Sequence, residues 1–207
     1  MNVMGWAADT ASFGRWRCMT MRLLLALALA LTAIPTVLTE QISALPPRAI
    51  FLGTRASDYA GGSVAMSGDG LRVAVGASGS DDSGATAGQV RVFGLSHTSH
   101  AWLQVGADID GERPGDEAGA AVALSYDGSR VALGSPGNSG AAGGGAGAVR
   151  VFEFRGDSWL QLGADVDGGQ AGEATGSSVA LSADGSVLAV GAPRYDCTRD
   201  EYGYGEG

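Results

Sequence analysis

The residues best suited to chemistry are carboxylates that alternate along short loops. Six of them form one pattern and its partial repeat: Asp108, Asp110, Glu112, Asp116, Asp165 and Asp167. Alternate carboxylates beside a glycine turn suit calcium, which takes roughly six to eight oxygen ligands in flexible geometry. The pattern is not an EF-hand, because the third aspartate before the glycine and the glutamate at the last loop position are missing. A solvated turn is the default for these acids, and a weak calcium site is the alternative that the sequence predicts there.

Groups for catalysis are scarce. All 13 basic residues are arginine, which excludes lysine-dependent chemistry and a Walker phosphate loop. His97 and His100 lie close together but are unrepeated and have no acid beside them, so we expect a surface loop rather than a metal pair. Neither G-x-S-x-G nor H-E-x-x-H occurs. We expect no catalytic residue, no enzymatic activity and no cofactor other than calcium.

The elements that position these groups follow from an internal repeat. Three segments that align without gaps are Gly61–Ser78, Gly119–Pro136 and Gly176–Pro193, whose starts lie 58 and 57 residues apart. Two further motifs, GQVRVFGL with GAVRVFEF and WLQVGADIDG with WLQLGADVDG, recur at spacings of 59 and 57. Three independent markers with nearly one period indicate a repeated structural unit.

Each period contains four short runs rich in valine and aromatic residues. In the first period these runs are Ser63–Ser67, Leu71–Ala77, Gln89–Leu95 and Trp102–Asp108. The first two are joined by Asp69-Gly70, where glycine supplies the positive φ of a tight hairpin turn. One period is therefore predicted to be a four-stranded antiparallel meander. Trp102 and Trp159 begin the fourth runs and are expected to pack one unit against the next, with ligand stacking as the alternative.

The repeated residues also resemble a known family. Gly-x-Ser-Val-Ala-x-Ser followed by Val-Ala-Val-Gly-Ala-Pro resembles the FG-GAP repeat of integrin α-subunit propellers and of many secreted microbial and algal proteins. The resemblance covers about 61–207 and is closest at Gly191-Ala192-Pro193. It implies a β-propeller and an extracellular binding role. The aromatic residue before the first glycine is missing, and the family's calcium loop is reduced to Ser-x-Asp-Gly, which argues against calcium at the family's usual position.

The predicted architecture is all-β: a partial propeller of about two and a half four-stranded antiparallel blades, preceded by an N-terminal hydrophobic helix. The predicted boundaries are 1–44 for a signal segment, 45–60 for a lead-in ending a preceding blade, 61–118 for blade 1, 119–175 for blade 2 and 176–207 for an incomplete blade 3. Propellers close with roughly four to eight blades. Two hypotheses remain, a truncated fragment or an open array that assembles with other copies.

The N-terminal segment has the composition of a targeting signal. Leu23–Leu38 is a run of sixteen residues without a charge, preceded by Arg15, Arg17 and Arg22. A spanning helix needs about 20 residues, and Pro35 interrupts the run, so a cleaved signal peptide is favoured over a signal anchor or a buried helix. We expect a secreted or cell-surface protein that meets the membrane only through this segment.

Charge points to the class of partner. Residues 51–207 carry nine arginines and 20 acids, which argues against nucleic acid. The strand order predicts that the loops after the second and fourth strands share one face, with fifteen acids and four arginines. We expect a non-catalytic binding or adhesion module that presents this acidic face to a protein or glycan and pairs with further blades or with itself. The alternatives are a propeller piece of a larger secreted or membrane enzyme, or a nonfunctional truncated product.

Overall fold

The computed structural model describes residues 51, 53 and 55–195. The chain divides into two units, Met1–Arg48 and Ala49–Gly207, and every described residue belongs to the second. The predicted N-terminal helix and the end of the predicted third blade lie outside the described residues. Within the described part, no helix is long and apolar enough to span a membrane.

The first sheet is antiparallel and is formed by consecutive strands. Its members are β1 (Ser63–Met66), β2 (Arg72–Ala77), β3 (Gln89–Leu95), β4 (Trp102–Gln104) and β5 (Ile109–Asp110). They are ordered β1-β2-β3-β4, and β5 also pairs with β3. The predicted antiparallel meander is therefore present here.

The second and third sheets repeat this order. The second contains β6 (Ala121–Leu124), β7 (Arg130–Ser135), β8 (Ala148–Arg155), β9 (Ser158–Gln161) and β10 (Val166–Asp167), and the third contains β11 (Ser178–Leu181) and β12 (Leu188–Gly191). The first hairpins share one register, with Ser63 opposite Gly76, Ala121 opposite Gly134 and Ser178 opposite Gly191. The prediction of an all-β chain with several antiparallel sheets is confirmed for the described residues.

The fourth predicted run is not a single strand. β4 ends at Gln104, and pairing with β3 resumes only at Ile109. Gly106 between them has φ 74°, a left-handed conformation that interrupts a strand. A Cβ at Gly106 would lie 2.8 Å from Cδ1 of Trp159, so the break also makes room for the indole of the next sheet. Gly163, with φ 72°, produces the same break in the second sheet.

The core lies between the first and second sheets. It contains Ala74, Val90 and Val92 from the first sheet and Val131, Leu133 and Phe152 from the second. Trp159 packs against this cluster and its Nε1 donates a hydrogen bond to the carbonyl of Val105, 2.8 Å away. The expected packing role of this tryptophan is therefore observed.

Arginines connect neighbouring sheets at their edges. Nη1 of Arg72 donates to the carbonyl of Gly128 at 3.0 Å, and Nη1 of Arg130 donates to the carbonyl of Gly185 at 3.1 Å. Both acceptors belong to the Asp-Gly turn of the following sheet. A charged donor on a backbone carbonyl forms a strong hydrogen bond. The same contact therefore fixes the hairpin turn of each following repeat.

Paired glycines set the closest approach between sheets. A Cβ at Gly76 would lie 2.1 Å from the carbonyl oxygen of Gly119, and one at Gly134 would lie 1.9 Å from that of Gly176. Atoms this close cannot coexist without movement of the backbone. These positions therefore require glycine, because consecutive sheets meet there backbone to backbone.

We predict that Gly134→Ala lowers the free energy of unfolding by about 1–3 kcal/mol, because the added methyl group separates the second and third sheets. The matched control is Gly144→Ala, where the nearest atom to the added Cβ is Oγ of Ser139 at 3.9 Å. Urea denaturation of both variants measures the difference. Equal stability of the two variants would contradict the backbone-to-backbone contact.

Candidate functional site

The loops that carry the predicted site residues converge at one end of the sheets. The N–H of Gly115 donates to the carbonyl of Ala85 at 2.9 Å, and the N–H of Gly172 donates to that of Gly144 at 3.0 Å. In both repeats the loop that follows β5 or β10 is thus bonded to the loop that follows β2 or β7. We call the loops 79–87, 108–117, 137–146 and 165–173 the acidic loop face.

One acid in each repeat is buried beneath this face. Asp58, Asp116 and Glu173 are 3%, 2% and 7% exposed, and each lies three residues before the first glycine of its repeat. Oδ2 of Asp116 accepts the N–H groups of Glu112 at 3.1 Å and Arg113 at 2.9 Å. These acids close the loops internally, so three of the fifteen carboxylates assigned to the face from sequence are not displayed on it.

The exposed predicted ligands mostly have protein partners. Asp108 and Asp165 accept hydrogen bonds from Nε2 of Gln104 and Gln161, four residues earlier in each chain segment. Asp110 accepts from Nε2 of Gln89 at 3.0 Å. Oε1 of Glu112 lies 3.5 Å from Nη1 of the buried Arg150. Among the described residues, Asp167 is the one predicted ligand whose carboxylate has no hydrogen-bond or ion-pair partner.

The six predicted calcium ligands do not form one cluster. Within the described part of the chain, no group of three or more His, Cys, Asp or Glu side chains is arranged to hold a metal ion. Glu112, Asp165 and Asp167 share one cleft, whereas Asp108 and Asp110 line a separate one beside Trp159. The calcium site stays a prediction, and any ion would have to use backbone or amide oxygens as well.

The polar cleft is the strongest candidate site. It has a volume of about 370 Å³ and lies between the loops 112–113 and 138–141 and the segment 165–167. Arg113 closes one side, where its Nη1 donates to the carbonyl of Ser139 at 3.3 Å. The lining thus combines carboxylates, an amide and a guanidinium, groups that orient a hydrogen-bonding ligand.

Asn138 is the cleft residue that sequence reasoning missed. It is 6% exposed, and its side-chain amide has no hydrogen-bond partner among the described residues although it lines the cleft. A Cβ placed at Gly140 would lie 3.7 Å from Oδ1 of Asn138 and 3.4 Å from Oδ1 of Asp167, so both oxygens border the same empty space. The amide atoms of Asn138 are open to the cleft rather than sealed inside the protein, so they can bond a ligand or water there. The sequence signal was an asparagine in a loop made otherwise of glycine, alanine and serine.

Carboxylates of the Ser-x-Asp-Gly turns have a different role. Oδ1 of Asp127 accepts the N–H of Ser129 at 2.9 Å and the hydroxyl of Ser125 at 2.7 Å. The backbone hydrogen bond from Ser129, followed by the Ser125 hydroxyl, lowers the pKa of Asp127 to about 2. The hydroxyls of Ser182 and Ser186 likewise lower the pKa of Asp184. These carboxylates stabilise the hairpin turns.

The two histidines lie away from the acidic loop face. His97 and His100 are both exposed in the loop between β3 and β4. The backbone N–H of His100 donates to the carbonyl of Ser96 at 2.8 Å, which closes that loop. This agrees with the expected surface loop.

Comparison with known proteins adds little. No protein-family model matches the chain, and no curated protein matches it. Among solved structures, a chain of the Kuenenia stuttgartiensis hydrazine synthase is similar, with 15% identity and a TM-score of 0.35. The match covers 69% of this chain and 32% of the other, so the chain spans about a third of that protein's length. A likeness this weak supports no conclusion about activity.

We predict that Asp127→Asn lowers the free energy of unfolding at pH 7 by about 1 kcal/mol, because a neutral amide accepts the turn hydrogen bonds less strongly. The folded-state pKa of Asp127 lies below its ordinary value of 3.8. The contribution of the carboxylate is therefore present above pH 3.8 and is lost as the pH falls towards 2.

Denaturant titrations between pH 7 and pH 2 measure this effect, and the gap between wild type and Asp127→Asn should close at the acid end. Asp157→Asn is the control, since this exposed residue also lies in a hairpin turn, between β8 and β9, but its carboxylate accepts the hydroxyl of the adjacent Ser158 rather than a backbone N–H across the turn. A gap that stays constant down to pH 2 would contradict the turn assignment.

Proposed function

We propose that the chain is a non-catalytic binding module of a secreted or cell-surface protein, built on an FG-GAP-like β-propeller scaffold. Consecutive antiparallel sheets with one register support this architecture. So do the first strands of the sheets, β1, β6 and β11, which contact one another in that order. Such contacts are what successive propeller blades make at their inner edges.

The observation that carries the proposal is the polar cleft between the first two sheets. It joins the free carboxylate of Asp167 to the amide of Asn138, which faces the cleft without a protein partner, with Arg113 at the rim. Carboxylates accept hydrogen bonds from hydroxyl, ammonium and guanidinium groups, while an amide both donates and accepts. The ligand class that fits is a glycan or a polar loop of a protein.

The surrounding charge favours association with cationic groups. Asp81, Asp82, Asp108 and Asp110 are exposed on the same acidic loop face as the cleft. Charges of one sign gathered on one face attract a partner of the opposite sign and raise its rate of encounter, an effect that salt screens. The cleft then supplies the directional hydrogen bonds.

The proposal is tested by probing arrays of glycans and of extracellular proteins with the chain. Any ligand found should bind the variants Asp167→Asn and Asn138→Ala at least about tenfold more weakly, because each removes a polar group that faces the cleft. Asp157→Asn, in the turn between β8 and β9, should bind like wild type. A ligand that binds all variants equally would place binding elsewhere on the chain.

Calcium binding is tested by isothermal titration calorimetry. We expect weak binding, with a dissociation constant of about 10⁻⁴–10⁻³ M, because few free carboxylates face any one point. The pair Asp165→Ala and Asp167→Ala removes two of the six predicted ligands, and Asp108→Ala with Asp110→Ala removes two more. Asp69→Ala, in a Ser-x-Asp-Gly turn, is the control. A heat of calcium binding that remains in both doubly substituted variants would refute the predicted location of the calcium site.

A further inference from the structure

The first and last described sheets each present a face that is covered at the equivalent place inside the molecule. Val122 and Leu124 of β6 pack against the core between the first and second sheets, and β6 contacts β1 and β2 of the preceding sheet. The equivalent residues of β1, Val64 and Met66, are 64% and 62% exposed. The face of β1 that carries these two side chains is here called the head face.

The opposite face is open on the third sheet. Ala74 and Ala132, on β2 and β7, are fully buried. Their equivalent on β12, Ala189, is exposed, as is its cross-strand partner Ala180 on β11. A shallow apolar groove of about 270 Å³ runs over this hairpin. The face that carries Ala180 and Ala189 is here called the tail face.

The contacts of the glycines at equivalent repeat positions also show that the head face and the tail face are uncovered. Gly119 and Gly176 each contact the preceding sheet, and a Cβ on either would clash with it, whereas at the equivalent Gly61 nothing lies within 4 Å of the Cβ position. Gly76 and Gly134 each meet a carbonyl of the following sheet, whereas the equivalent Gly191 meets only its own hairpin. A glycine pair joins consecutive sheets twice in the chain. Gly61 and Gly191 are the two equivalent glycines that do not take part in such a pair.

We propose that the head face binds the tail face of a second copy of this chain, in the geometry that joins one repeat to the next. Gly191 then lies against Gly61 of the second copy. The hydroxyl of Ser178 donates to the carbonyl of that glycine, as the hydroxyl of Ser63 donates to the carbonyl of Gly119 at 2.6 Å. Val64 and Met66 of the second copy cover Ala180 and Ala189.

A second copy is the occupant that fits because the interface is already seen between consecutive repeats of this chain. The head and tail faces correspond to the two sides of that interface. They have the same backbone register, and large side chains on the head face match small alanines on the tail face. Contiguous exposed apolar faces are uncommon on monomers and mark association sites. The interface is heterologous, since the two faces differ, so copies add head to tail into a ring or filament.

One contact that joins consecutive sheets within the chain is replaced at this interface between copies. Position 187 is valine where Arg72 and Arg130 reach the following turn, and Val187 is 63% exposed. The junction between copies thus lacks the arginine contact and gains apolar surface in its place. We expect it to be weaker than the internal junctions and reversible on dilution.

The experiment uses the full chain in reducing buffer, with mass measured by light scattering over a dilution series. Wild type should show assembly that rises with concentration. Met66→Asp blocks the head face and Ala189→Asp blocks the tail face, and each variant alone should associate at least about tenfold more weakly, because both bury an unpaired charge. Leu103→Asp is the control, since Leu103 is 56% exposed on β4, outside both faces.

The decisive measurement mixes the two blocked variants. Met66→Asp retains a tail face and Ala189→Asp retains a head face, so the mixture should form a one-to-one dimer and no larger species. Thermal melts followed by circular dichroism check that each variant is folded. If Met66→Asp is not folded, Val64→Glu takes its place, and if Ala189→Asp is not folded, Ala180→Glu takes its place.

Three results would overturn the proposal. The first is a wild-type chain that stays monomeric at every concentration. The second is a mixture of folded blocked variants that gives no dimer. The third is loss of assembly in the Leu103→Asp control equal to that in the two blocked variants.

Discussion

The closest approach of two backbones, at the glycine pairs Gly76 with Gly119 and Gly134 with Gly176, fixes the spacing between sheets on which the remaining contacts depend. At these points a single added carbon would lie about 2 Å from a carbonyl oxygen. At this spacing the indole of Trp159 reaches the carbonyl of Val105, and Arg72 and Arg130 reach the turns of the next sheet. The motif that repeats most clearly in the sequence is therefore the one that positions whole sheets.

Apart from the aspartates of the Ser-x-Asp-Gly turns, the loop carboxylates have two roles, and burial distinguishes them. Asp58, Asp116 and Glu173 are held below the surface and accept backbone N–H groups at the start of each repeat, where the next residue has positive φ. A buried charge is tolerated there because several donors satisfy it. The carboxylates that remain exposed give the acidic loop face its negative electrostatic potential. A net charge counted from sequence cannot distinguish the two groups, because both occur in loops.

Much of the fold was predictable from residues alone. The repeat of Gly61–Ser78, the Asp-Gly turns and the valine-rich runs indicated the strands, because short-range turn chemistry and alternation determine them. The break at Gly106 was not predicted, because a glycine in a valine-rich run can continue a strand or interrupt it, and its left-handed φ of 74° is seen only in the structure. Asn138 was missed for a different reason. Its significance lies in a cleft formed by three segments distant in sequence, and a lone asparagine in a glycine-rich loop reads as a turn residue.

The differences between the repeats locate the candidate site more sharply than their similarities. In the first sheet, Asp82 of the loop 79–87 forms an ion pair with Arg55 at 3.5 Å, and Oγ of Ser83 in the same loop donates to the carbonyl of Gly111 at 3.0 Å. Side chains therefore tie this loop to the segments beside it. In the second, the loop 136–146 is one residue longer than 78–87 and consists largely of glycine and alanine. Small side chains leave space, and Asn138 replaces Ser80, whose Oγ accepts the N–H of Asp82 at 3.4 Å. The backbone hydrogen bonds that join these loops recur in both sheets, so the ligand specificity that we propose for the cleft would come from the unshared residues.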